Sequence, residues 1–286
     1  MHVTQAHHAL IAALCTLGLV LLGVTGCRGL NPQSTSALAL PPLPTAEVPR
    51  AVATPRPGTT LDDPVWRGAF HIPLLAAPLP AEADTDTAIG PAPRTEVRLL
   101  WDPEFLYVRF VSLDDEPFSP HGQQRDAPHY QGDVVEVFVD GVGDSRQWYE
   151  LQVNPDGGVL DLNTVLSAPP VSDARGLLTV ASNREYWSNL AYDMPGLRVA
   201  TRREADAWIA DLAIPAAELL RRRQPNHLSA GTSLRLNLIR YDRPRAGGPD
   251  DSHRALHMAC WSPVALGRPH RSPQRMGVIH LVPSTP

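Results

Sequence analysis

Short runs of alternating apolar and polar residues, each closed by a Pro, Gly or Asp cluster, recur from residue 96 to the C-terminus. They constrain this chain more than any other feature. Strand side chains alternate between faces, so such runs suit half-buried strands rather than helices. Residues 96–101 (EVRLLW) and 105–113 (FLYVRFVSL) flank a turn-like Asp102-Pro103-Glu104. In the second run Leu106, Val108 and Phe110 share one face. Residues 207–214 alternate again, and Pro215 then stops the strand and opens a short helix, AAELLRRR. Its terminal arginines complement the negative end of the helix dipole. Residues 233–241 and 277–282 supply two more strands. Many short strands, one short helix and frequent turns predict an all-β fold, an antiparallel two-sheet β-sandwich of jelly-roll or immunoglobulin-like form.

Residues 130–158 (YQGDVVEVFVDGVGDSRQWYELQVNPDGG) read as two strands joined by a polar Gly/Asp loop. Val135, Val137 and Val139 share one face of the first, and Glu136 lies on the other between Val134 and Phe138. On the second, Tyr149, Leu151 and Val153 oppose Trp148, Glu150, Gln152 and Asn154. In one sheet, an acid, an amide and an aromatic would line the same surface. That mixture suits a polar, flat-ringed ligand such as a sugar. Trp66, Trp101 and Trp208 are expected in the core. Asp133 and Glu136 stand three apart on a strand and face opposite ways, so they do not make a hydrolytic carboxylate pair. With no Ser-His-Asp elbow or phosphate loop evident, no enzyme is expected. His253, His257 and Cys260 would suit zinc if helical, but lack an obvious fourth ligand, and loop histidines are the default reading.

The N-terminal apolar run, residues 9–24, is uncharged and shorter than the ~20 residues of a membrane span, which fits a signal-peptide core. The ending Val24-Thr25-Gly26-Cys27 resembles the bacterial lipobox, in which cleavage before the cysteine is coupled to its acylation. A cleaved secretory peptide with an incidental cysteine is the alternative, and either way the protein leaves the cytoplasm. Losing Cys15 with the signal and lipidating Cys27 would leave Cys260 alone, so no intrachain disulfide is expected and stability must come from a sizeable hydrophobic core. The organisation read from the chain is a signal peptide over 1–26, a Pro-rich disordered tether over 27–58 and a β domain over 59–283. Arg28 after the cysteine lacks the aspartate tied to inner-membrane retention, favouring the outer membrane. A net charge of −5 without a basic stripe argues against nucleic acid.

Seven segments in order resemble the family 9 carbohydrate-binding modules: DDPVWRGA, EVRLLWDPEFLYVRFVSLDDEP, GDVVEVFVD, WYELQVNPDG, AWIADLAIPAAEL, GTSLRLNLIRYD and WSPVALGRPHRSPQRMGVIHL. The resemblance implies a DOMON-like sandwich that binds oligosaccharide or polysaccharide, often at chain ends, between aromatic rings, with structural calcium. Position by position it implies Tyr130, six residues before Glu136, as one platform and His270 as the other, with Glu136 and Gln152 as hydrogen-bonding partners. Neither platform position carries tryptophan, so Trp148 or Trp187 is expected to add aromatic surface. Asp140 and Asp144, with loop carbonyls, are the implied calcium ligands. The expected protein is a lipid-anchored, non-catalytic glycan binder of the bacterial cell envelope, serving glycan-degrading enzymes. Two rivals follow from the same fold. One is a haem-binding electron-transfer domain using Met194, Met258 or Met276, and the other a structural envelope lipoprotein that has lost sugar binding.

Overall fold

The computed structural model describes residues 41–74, 92–166, 186–243, 256–264 and 273–284. Within them the chain forms β1 (Thr45–Pro49), β2 (Phe70–Leu74), β3 (Thr95–Trp101), β4 (Phe105–Leu113), β5 (Val134–Asp140), β6 (Gln147–Val153) and β7 (Val159–Leu166). The remainder are β8 (Tyr186–Asn189), β9 (Arg198–Arg203), β10 (Ala207–Pro215), α1 (Ala216–Leu219), β11 (Ser233–Asp242), β12 (His257–Cys260) and β13 (Gly277–Val282). Eight strands make one sheet in the order β1-β13-β11-β5-β6-β7-β8, with β12 also on β11. Five make the other, β2-β3-β4-β10-β9. The two sheets form the expected β-sandwich. One strand pair departs from the antiparallel expectation: β1 runs parallel to β13.

The alternation read from the sequence explains what the sheets enclose. Val135, Val137 and Val139 of β5, and Tyr149, Leu151 and Val153 of β6, face Leu106, Val108 and Phe110 of β4 across one apolar core. Each such side chain contributes about 1.5–3 kcal/mol on burial. Trp101 and Trp208 lie in this core and Trp66 in a smaller cluster, all buried as expected. The Trp101 indole Nε1 donates to the carbonyls of both Val48 and Val282, 3.0 Å each, so a β3 side chain ties down edge strand β1 and its neighbour β13 of the opposite sheet.

That tie corrects the tether boundary. Residues 41–58 are not a free linker, because β1 pairs along its whole length with β13 and Ala46 and Val48 enter the core. The helix is also shorter than expected: α1 is a single turn, and the arginines lie beyond its end. Arg222 pairs with Asp144 and Arg221 with Glu218.

On the outer face of the five-stranded sheet, β4–β10 register sets Arg109 opposite Asp211. The guanidinium donates to both carboxylate oxygens, at 2.7 and 2.8 Å. It also donates to the Thr59 and Thr60 carbonyls and the Thr59 hydroxyl, and stacks on Trp66, 4.7 Å from the ring centre. The Gly58 amide adds a donor to Asp211 at 2.8 Å. This buried pair staples residues 58–66 onto the sheet.

Candidate functional site

The outer face of the eight-stranded sheet is built by the same strands that build the core. With valines of β5 turned inward, Glu136 and Phe138 must turn outward. Register places Glu136 directly opposite Gln152 of β6 and Ile239 of β11, and Phe138 opposite Glu150 and Asn237. Glu136, Glu150, Gln152 and Trp148 therefore share one surface, as the alternation required. That surface is sunk rather than open: Glu136 and Gln152 are 2% and 3% exposed. Phe138, Ile239, Met258 and Cys260 form an apolar layer on the same face.

Burial sets the chemistry. Desolvation first, and then the neighbouring Glu150 charge, push the Glu136 carboxyl well above the usual carboxylate range. Burial, then Glu136 and Glu150, raise the Tyr241 phenol in the same way. Gln152 Nε2 donates to Glu150 Oε1 at 2.7 Å. The other end of that amide, Oε1, is buried without a partner among the described residues. An unused buried acceptor is costly, and a ligand hydroxyl would satisfy it.

Tyr130 stands at the end of this face. It lies in the 3-10 turn His129–Gln131, its side 44% exposed, and its carbonyl accepts from Arg243 Nε at 2.8 Å. Beneath the turn, the buried His129 Nδ1 meets Asn154 Nδ2 at 2.9 Å. Burial, then the charge of His121, lowers the His129 pKa, so its Nδ1 serves as acceptor. Asn154 shares the Gln152 face of its strand, and this contact brings Tyr130 to that side of the sheet. Gly158 makes it fit: a Cβ there would lie 2.5 Å from the His129 ring and 2.4 Å from the Gly122 carbonyl.

Comparison with known proteins gives this arrangement a family. Residues 58–282 match the family model described as carbohydrate family 9 binding domain-like. The chain belongs to that family. A family 9 carbohydrate-binding module from Caldicellulosiruptor kristjanssonii in complex with cellotriose superposes with a TM-score of 0.54 at 16% identity, covering 85% of this chain and 95% of that one. The glucose complex of a family 9 module from that organism gives 0.51 at 16% identity, covering 85% and 97%. A candidate carbohydrate-binding protein from Bacteroides uniformis ATCC 8492 gives 0.58 at 15% identity, covering 83% and 98%. No curated protein sequence matches the chain significantly.

For this family 9 domain, the structure moves several expected site residues. Trp148 is fully buried against Phe138, Leu166 and Ile239, and its ring sits 6.4 Å from Tyr186. It packs the layer beneath the surface and offers no open ring. Trp187 is open, but β7–β8 register sets it opposite Val165 and therefore on the other face from Glu136. His270 and Cys27 lie outside the described residues, as does His253.

The expected calcium ligands do not fit a cation. Asp140 accepts from the backbone amides of Val142, Gly143 and Ser145. Asp144 takes both ends of Arg222, at 3.0 and 3.1 Å, and the Arg146 amide. Those donors use the oxygens that calcium would need. Zinc finds no helix either: His257 and Cys260 lie on strand β12, and burial pushes the Cys260 thiol up to about 11. Met194, Met258 and Met276 are all packed in apolar clusters.

Sequence reasoning missed two acidic triads. Asp114, Asp133 and Asp242 surround the buried Arg240, while Asp126, Asp161 and Asp193 surround Arg125, so each group already holds a cation. Burial pushes Asp133 up to about 7 against the pull of Arg240. The members come from separate strands and loops, so no local spacing announced them.

Proposed function

We propose that this family 9 domain binds carbohydrate without catalysing its breakdown. The observation that carries the reading is the cross-strand Glu136–Gln152 pair, buried with an amide acceptor that has no partner among the described residues. Sugar hydroxyls both donate and accept, so one ring can satisfy Gln152 Oε1 and the Glu136 carboxyl while Tyr130 covers its apolar face. The glucose and cellotriose complexes of the Caldicellulosiruptor modules support a gluco-configured ligand. The uncharged run before Cys27 supports a lipid anchor in the bacterial cell envelope, and Arg28, in place of an aspartate after the cysteine, favours the outer membrane. In that setting the domain would hold glycan for partner enzymes that degrade it.

Calorimetric titration of the purified protein with glucose and cellotriose tests the site. Saturable binding that is lost in Tyr130→Ala and Glu136→Gln, both with unchanged circular dichroism, is the expected result. A wild type that binds neither sugar, or variants that bind as it does, would overturn the reading. The anchor is tested by expression in a bacterial host with labelled palmitate, where Cys27→Ser should abolish incorporation.

A further inference from the structure

The face of β7 and β8 opposite Glu136 carries a second set of groups that the fold does not use. Strand pairing lays them out in two rows, Gln147–Val165–Trp187 and Asn163–Asn189, the second starting beside the core residue Tyr149. Trp187 is 61% exposed and Val165 37% exposed, with Leu190 just beyond at 66%. Strands lie about 4.8 Å apart, so the first row runs about 10 Å from Gln147 to the sheet edge. Exposed apolar residues normally occur singly, and a contiguous group at one edge marks a contact surface.

The polar groups beside the indole say what it contacts. Gln147 Nε2 donates to Asn163 Oδ1 at 2.8 Å, leaving Gln147 Oε1 and Asn163 Nδ2 without partners among the described residues. Asn189 Oδ1 accepts from the Ala191 amide at 3.2 Å, leaving its Nδ2 as a further donor. Two donors and an acceptor, all uncharged, thus flank a flat ring. Neither row contains a charged residue, and the charged side chains nearest Gln147, those of Glu218, Arg221 and Arg222, line a pocket with it at the far end from Trp187.

We infer that the Trp187 edge is a second carbohydrate-contact surface, which lays the apolar face of a polysaccharide ring on the indole and its hydroxyls on Gln147, Asn163 and Asn189. Neutral amides match hydroxyls, which give and take hydrogen bonds without charge. A protein strand is the poorer occupant, because β8 is four residues long and presents few backbone groups for strand addition. Alternation puts this surface and the Glu136 site on opposite faces of one sheet, so it does not rest on the reading of that site.

Native gel electrophoresis through soluble hydroxyethylcellulose, xylan and mixed-linkage β-glucan, with the whole protein, reads the surface. Wild type should be retarded by at least one polymer, and Trp187→Ala should bind that polymer about tenfold more weakly. Trp187→Phe should recover part of the loss. Three results would overturn the proposal. They are no retardation of wild type by any polymer, Trp187→Ala migrating like wild type, or Trp187→Ala altering only the oligomeric state in size-exclusion chromatography. Cellotriose calorimetry on the same proteins reports the Glu136 site separately, so either surface can fail alone.

Discussion

Two buried polar pairs sit on the outer faces of the two sheets, and the fold treats them oppositely. On the five-stranded sheet, Arg109 and Asp211 neutralise one another, and Gly58, Thr59, Thr60 and Trp66 complete the site. On the eight-stranded sheet, Glu136 faces an amide, and its nearest charged neighbour is another carboxyl. Gln152 Oε1 has no partner among the described residues. A closed pair serves stability. An open one costs stability, and that cost is explained if a ligand completes it.

The largest effect should come from breaking the closed pair. Arg109→Met strands the Asp211 carboxylate and should cost about 3–5 kcal/mol in urea denaturation; a loss under about 1 kcal/mol would mean the pair is not what holds residues 58–66. Trp148→Ala follows, at about 3–5 kcal/mol from cavity formation, because the ring is fully enclosed. If Trp148 were instead a ligand platform, stability would barely move and sugar binding would fall.

Glu136→Gln sharpens the contrast through pH. The folded-state pKa of Glu136 is raised, so its stability contribution is full below the unfolded value of about 4.3 and is lost as pH rises through the folded value. The variant lacks that loss and should gain on wild type as pH rises above about 4. Asp133, held at about 7, imposes a falling trend of the same sign on both proteins and cancels in the comparison. Parallel stability curves for the two proteins would refute a protonated Glu136. Tyr130→Ala should change stability least, within about 0.5 kcal/mol, while sugar affinity drops about tenfold. An equal loss of both would make Tyr130 a packing residue.

The strands that carry strong alternation were legible in the sequence. Residues 105–113, 207–214 and 233–241 each appear in the structure within a residue of their expected ends. Three that escaped had weak local signals. β1 is five residues ending in proline, β8 is four residues, and β9 (RVATRR) shows little apolar periodicity. Such segments become strands because a neighbour offers an edge, which no local pattern records. The site follows the same division. That Glu136 and Gln152 share a face followed from alternation alone, whereas their burial depended on the apolar layer that β11 and β12 add.

The sequence by itself determined the fold class, the inward valines, the cross-face position of Glu136 and the family the chain belongs to. All of these are written in a two-residue period or in ordered local motifs. Only the tertiary structure decided that Trp148 is core and Trp187 surface, that Asp140 and Asp144 serve their own loop and an arginine, and that residues 45–49 belong to the sandwich. Those outcomes depend on which distant strand lies alongside, and register across strands is a property of the assembled sheet rather than of any single run of residues.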